Sequence, residues 1–312
     1  TKEWWIDRFE NNNMKVLWSD GCTLIAEEKV IETKPVNKGD RILVGIPTKD
    51  RPQSLTRLLK SLKDQTFNDF DVIVVDDSVA DIRQNAELRE AVIDISKNGH
   101  IINVVKGVNL NQAVAHNHIL NHAILNDYKL VFRVDDDITL DKHHLSRIFS
   151  HFVKDRKCEY AAMGGIFLNP YIDDKVQVAP EDWNTKEEFS GNIDVCTNTA
   201  QIVSYPENIK YRDDIQHLYS SYVYRPELMK SVGGFPTNLS MVGFREETLG
   251  LYELYLSGYK MKIVTNAKGY HWNEQTGGCR SVNESVAMDM YLSDNKIFRD
   301  NIRKLKDKYG VL

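Results

Sequence analysis

The chain has 312 residues, 42% hydrophobic and 27% charged, with a formal net charge of -5. That is enough apolar material for a full core, and it excludes a disordered or low-complexity protein. The acidic balance also argues against wholesale polyanion binding, which rests on lysine and arginine.

Residues 1–40 hold Lys15-Val16-Leu17-Trp18, a Ser19-Asp20-Gly21 turn and Thr23-Leu24-Ile25-Ala26, which predict a hairpin extension anchored by Trp4 and Trp5. This stretch lacks the layout of a signal peptide, and no apolar run approaches the roughly 20 residues of a membrane span. Cys22, Cys158, Cys196 and Cys279 stand far apart without metal-ligand spacing. They read as reduced structural thiols of a soluble, cytoplasmic protein.

From about residue 40 to 168, strands and helices alternate. Residues 41–47 form an apolar run ending in proline, and Leu55, Leu58, Leu59 and Leu62 then recur at helical spacing. Residues 71–75 are rich in β-branched side chains and stop at Asp76-Asp77-Ser78, completing a βαβ unit. A third strand over 101–105, a helix over 113–125 and a fourth strand over 130–134 follow. This order predicts an α/β fold, a mostly parallel open sheet covered by helices. A basic amphipathic helix over 296–308 closes the chain, packing on the domain by default, with membrane-surface or nucleic-acid contact as the other reading.

Ligands of such sheets bind beyond the carboxyl ends of the strands, so Pro47-Thr48, Asp76-Asp77 and Asp135-Asp136-Asp137 should meet in one crevice. Hard cations such as Mg²⁺ or Mn²⁺ take oxygen ligands of this kind. The plainer alternatives are an acidic turn capping a helix near Asp141 and a strand cap at Asp76-Asp77. Arg51, beside Pro52 at the start of the first helix, either assists a diphosphate or is a solvated surface residue.

Taken together, residues 44–52, Val74-Val75-Asp76-Asp77-Ser78, 111–117, 134–138, Val232-Gly233-Gly234-Phe235, Glu246-Glu247 and Gly258-Tyr259 resemble the inverting glycosyltransferases of family 2, which have the GT-A fold. The resemblance runs from about residue 41 to 272. It implies a nucleotide-binding part over 41–140 and an acceptor-binding part over 141–272; beyond it, over 273–312, Gly277-Gly278 predict a mobile lid segment that precedes the C-terminal helix. It further implies that Pro47, Thr48, Asp76 and Asp77 hold base and ribose. Relatives often carry an arginine before the asparagine of a helix that supplies base contacts, where this chain has His116 before Asn117, so the resemblance implies a base contact from this pair.

The resemblance places Asp137 on a divalent metal, Mn²⁺ or Mg²⁺, and Asp135 on the ribose or a metal-bound water. His271 completes the metal or diphosphate site, or is a core histidine. Alternation along an extended segment would point Asp136 away from its neighbours. Arg280, after Gly277-Gly278, would close over the diphosphate of a UDP-sugar donor. Of Glu246 and Glu247, one would be the base that deprotonates the acceptor hydroxyl, with Glu247 favoured by position, unless both merely complement the helix dipole.

The acceptor is expected to be a glycan or polysaccharide precursor, met by aromatic residues such as Trp183, Phe189, Tyr219, Tyr222 and Tyr224. Hydroxymethylated bases of bacteriophage DNA are the nucleic-acid alternative. Asp135-x-Asp137-x-Thr139 also fits the nucleophile motif of haloacid-dehalogenase-like phosphatases, but three strands precede it here and Glu246-Glu247 would go unexplained. A non-catalytic sugar-nucleotide-binding module is the third class.

Overall fold

The computed structural model describes residues 14–19, 24–28, 41–108, 110–168, 170, 215–218, 220–274, 276–278 and 284–311. The chain divides into two compact units, residues 1–38 and 39–312. In the first, β1 (Met14–Ser19) pairs antiparallel with β2 (Leu24–Glu28), as the hairpin pattern predicts; Trp4 and Trp5 lie outside the described residues.

The second unit is an eight-stranded sheet built from β3 (Ile42–Thr48), β4 (Phe70–Asp76), β5 (Ile102–Lys106), β6 (Leu130–Arg133), β7 (Ile138–Leu140), β8 (Tyr160–Leu168), β9 (Tyr222–Tyr224) and β10 (Lys260–His271), in the order β5-β4-β3-β6-β9-β8-β10-β7. All but β7 and β9 run in one direction.

Seven helices accompany it among the described residues: α1 (Pro52–Lys63), α2 (Ala86–Lys97), α3 (Gln112–Leu125), α4 (His144–Lys154), α5 (Pro226–Ser231), α6 (Glu246–Leu256) and α7 (Glu284–Tyr309). None is long and apolar enough to cross a membrane. Cys158 is a free, exposed thiol.

The strands are apolar on both sides because both faces are covered. Ile42, Val44 and Ile46 of β3 and Val72 and Val74 of β4 pack with Leu55, Leu58, Leu59 and Leu62 of α1 and with α2 and α4. The alternate residues Leu43, Ile73 and Val75 pack with Ile119, Leu120 and Ala123 of α3 and with α5 and α6. Gly45 is needed for that second layer, since a Cβ there would stand 2.3 Å from Ile119 Cγ2.

Tyr222 and Tyr224 belong to the same core, fully buried on the central strand β9. They are therefore not the open stacking surface expected of them; Trp183, Phe189 and Tyr219 lie outside the described residues.

His144 of α4 is sealed between Phe132 and Phe167, its Nδ1–H donating to Lys268 O at 2.8 Å. Burial pushes its pKa from 6.5 down to about 4. The folded chain thus refuses a proton that the unfolded chain accepts, and the stability this group contributes above pH 6.5 is lost as pH falls through 4. Because Asp136 and Glu246 are shifted the opposite way, the test is a difference. Between pH 7.5 and 4, wild type should lose roughly 3 kcal/mol relative to His144→Gln in urea unfolding. Parallel pH curves would refute the assignment.

Candidate active site

The parallel run of the strands sets the carboxyl ends of β3, β4, β6 and β10 along one edge, bringing Thr48, Asp76, the aspartate turn and His271 to the same side. The aspartates do not continue β6 in extended form, since Ile138 N donates to Asp135 O at 3.3 Å and closes a turn. Simple alternation therefore fails. Asp136 stays with Asp137: Thr48 Oγ1 donates to Asp136 Oδ2 at 2.7 Å, while one Arg51 nitrogen lies 3.2 Å from Asp136 Oδ1 and 3.3 Å from Asp137 Oδ2. Asp135 is the one that diverges. Its carboxylate accepts from Gln112 Nε2 at 2.8 Å and from Ser220 Oγ, bracing the turn against α3 and the approach to β9.

Antiparallel pairing of β7 with β10 delivers His271 beside Asp137, with Trp272 N donating to Asp137 O at 2.9 Å. Asp137 Oδ1 lies 3.2 Å from His271 Nε2, and Asp137 Oδ2 accepts from Glu274 N at 3.1 Å. Burial works to raise the Asp137 pKa, but His271, Arg51 and the Glu274 N–H together hold it down to about 2. Asp136 goes the other way, pushed up to about 7 by burial and by Asp137, despite Arg51 and Thr48.

Neighbouring ligands on an octahedron with bonds of about 2.1 Å stand about 3 Å apart, and the Asp137–His271 spacing meets that condition. Among the described residues no cluster of three or more His, Cys, Asp or Glu gathers as a metal cage. A two-ligand site still suits Mg²⁺ or Mn²⁺, whose remaining positions are taken by water and substrate phosphate.

On the nucleotide side, Pro47 is half-buried near the end of β3, and Thr48 O accepts from Asp77 N at 2.9 Å. Asp76 is buried, with one oxygen accepting from Ser78 N at 2.8 Å and the other 3.5 Å from Lys106 Nζ. The Asp77 carboxylate lies flat against Gly107, where a Cβ would approach within 2.1 Å of its Oδ1.

His116 and Asn117 sit elsewhere. The first turn of α3 borders the crevice, but residues a turn further along it face the core. His116 is fully buried with its ring 5.3 Å from that of Phe235, and burial drives its pKa well below the ordinary value. Asn117 clasps the backbone of Phe235, donating to its carbonyl at 2.8 Å and accepting from its N–H at 2.9 Å. It thereby holds the Gly233-Gly234-Phe235 turn, so the expected base contact of this pair is replaced by packing.

The segment expected as a lid begins clamped to the aspartate turn. Arg51 donates to Glu274 O at 2.8 Å and to Thr276 O at 2.9 Å, and Gly278 N donates to Lys49 O at 2.7 Å. A Cβ on Gly278 would come within 2.7 Å of the Arg51 guanidinium carbon, which is why a glycine stands there. Arg57 pairs with Glu274 and lies 4.3 Å from the centre of the Trp272 ring. Arg280 falls outside the described residues.

The two glutamates at the start of α6 are unlike. Glu246 forms a two-point ion pair with Arg133, one bond being 2.7 Å, and each side chain is 2% exposed. Arg133 also donates to Ser220 O at 2.7 Å. Burial pushes Glu246 up to about 7 against the pull of Arg133. Glu247 makes no ion pair among the described residues and remains partly exposed. Burial and the charge of Asp135 raise its pKa, with Arg133 opposing. Arg133 was visible in the sequence as a lone cation in an otherwise apolar strand, a position that demands a buried acid partner.

Solved structures that share the fold include the following three. S. aureus TarS superposes with a TM-score of 0.51 at 18% identity, covering 75% of this chain and 37% of its own. The mannosyltransferase PcManGT from Pyrobaculum calidifontis, in complex with GDP-Man and Mn²⁺, gives 0.52 at 16%, covering 76% and 58%. GalNAc-T7 with UDP, GalNAc and Mn²⁺ gives 0.54 at 14%, covering 75% and 44%. The chain thus spans less than two thirds of the length of each. No curated protein matches it in sequence. The profile of glycosyl transferase family 2, however, matches residues 43–209, more than half of the sequence. With the parallel sheet and its aspartate turn, this settles the family: the chain belongs to glycosyl transferase family 2 and has the GT-A fold.

Proposed function

We propose that this chain is a metal-dependent inverting glycosyltransferase that moves a sugar from a nucleoside diphosphate donor, a UDP-sugar above others, to an acceptor hydroxyl of a glycan precursor. The observation that carries the reading is the division of labour between the glutamates. Arg133 occupies Glu246, whereas Glu247 makes no ion pair among the described residues and has a raised pKa that suits a general base.

A diphosphate entering beside Asp76, Asp136 and Asp137 meets like charge, so a cation must stand between them. Asp137 and His271 would hold a divalent metal, which when bound supplies positive charge to the departing diphosphate. Arg51 supplies fixed positive charge at the same place. Asp76 and Asp77 accept hydrogen bonds from base or ribose N–H and O–H groups, and Thr48 keeps Asp136 oriented. Glu247 takes the acceptor proton from the face opposite the leaving group, which inverts the anomeric configuration. Trp272 to Glu274 and Thr276 to Gly278 exclude water from the crevice. The domain limits follow the same division, with the nucleotide part over 41–140 and the acceptor part over 141–272.

TarS 1–349 is known in complex with UDP-GlcNAc, which supports UDP-sugars as the first donors to test. The expected result, with Mn²⁺ and a panel of nucleotide sugars, is release of nucleoside diphosphate from one of them. Asp137→Asn should weaken Mn²⁺ binding about 10- to 100-fold in calorimetry, as loss of a ligating or supporting group does. Unaltered Mn²⁺ affinity, or turnover unaffected by chelation, would overturn the metal assignment.

A further inference from the structure

The loop that enters α6, residues 239–245, has no strand or helix of its own. It is held from two sides. Asn111, the N-cap of α3, donates to Leu239 O at 3.1 Å. On the other side stands Asp294 of α7, fully buried, with Oδ1 accepting from Ser240 N at 2.7 Å and Oδ2 accepting from Ser240 Oγ at 2.7 Å and Phe244 N at 2.9 Å.

The neighbouring residues of α7 follow the same loop. Tyr291 meets Phe244 edge-on at 5.1 Å, and Arg245, at φ 65, lies 5.2 Å from the ring of Phe298. No cation pairs with Asp294 among the described residues, so its oxygens are met by loop donors alone. A buried acid without a counter-ion is an expensive way to stabilise a helix. Two of its bonds tie down Ser240 and the third holds Phe244 N, three residues ahead of Glu247.

We propose that Asp294 is a positioning residue that fixes the entry to α6 and thereby aims the Glu247 carboxylate at the acceptor. The C-terminal helix is then part of the transfer machinery through this one side chain. The inference rests on Glu247 being the base.

The test compares Asp294→Asn, Ser240→Ala and the exposed-site control Lys296→Ala. The readouts are kcat and donor KM for the nucleotide sugar selected by the panel, UDP binding with Mn²⁺ by calorimetry, and thermal midpoint. Asp294→Asn should lower kcat about 100-fold, the scale of a displacement of about 1 Å at a reacting group. UDP affinity and KM should stay within about twofold. Ser240→Ala, which keeps both backbone bonds, should lose less, and Lys296→Ala should match wild type.

A purely structural role predicts instead a lower midpoint with kcat per folded molecule unchanged, or kcat and UDP affinity falling together, and either result overturns the proposal. Should Asp294→Asn match wild type while Glu247→Gln is inactive, the positioning role fails and the function stands. Should Glu247→Gln itself match wild type, the assignment of Glu247 as base fails first.

Discussion

Glu247→Gln should abolish sugar transfer, with kcat falling about 1,000-fold, within the range a general base supplies. UDP and Mn²⁺ affinity should be retained. The carboxamide keeps the size of the side chain but cannot accept the acceptor's proton. Among the described residues the ion pairs of α6 are made by Glu246 and Glu253, not by Glu247. Released nucleoside diphosphate reports kcat, and calorimetry reports binding. Glu246→Gln behaves differently: it strands the Arg133 guanidinium in the core, so its main effect is on folding. If instead Glu246→Gln were stable and inactive while Glu247→Gln turned over normally, the two roles would be reversed.

Arg133→Met should cost roughly 3–5 kcal/mol of stability, the usual loss when one partner of a buried ion pair is removed. Arg133 spans β6, the Ser220 carbonyl and the first turn of α6, so its removal leaves Glu246 buried with no cation against it. The deficit has a pH signature. Glu246 already titrates at about 7 when folded, against 4.5 as a free side chain, and without Arg133 it should rise further. A raised acid contributes stability at low pH and loses it as pH rises through the folded pKa. The variant should therefore lie closest to wild type at pH 5.5 and fall furthest behind at pH 8.5, as read by urea unfolding. Arg133→Met combined with Glu246→Leu should recover most of the loss, because a volume-matched apolar pair is often neutral or better. Equal deficits at both pH values would refute the mechanism.

The nucleotide half of the fold was legible because its strands are covered on both faces and read as apolar runs, as at residues 72–75. The other half hid itself physically. β8 reads Tyr-Ala-Ala-Met-Gly-Gly before its first β-branched residue, and β7 and β9 have three residues each. β10 interrupts its apolar pattern with lysines and an asparagine. The C-terminal helix starts at Glu284, well before Lys296, because its first turns are exposed and lack an apolar stripe.

At the site, residue types marked the crevice, but side-chain direction did not follow from them. The turn at Asp135–Asp137 turned Asp136 inward, and helical depth carried His116 and Asn117 into the core. The bracing side chains Gln112, Ser220 and Asp294 carry no motif; only the fold brings them near the residues they support.

The short strand β9 lies between β6 and β8 although it follows both in the chain, with residues 169–221 intervening. Until that late strand arrives, β6 has an open flank and Asp135 lacks its serine partner. A piece ending near Leu168 would thus keep Thr48, Asp76, Asp136 and Asp137 and still lack the strand that closes the sheet beside β6. Completion of the crevice therefore waits on β9, and the aspartate turn is braced only once that strand is in place.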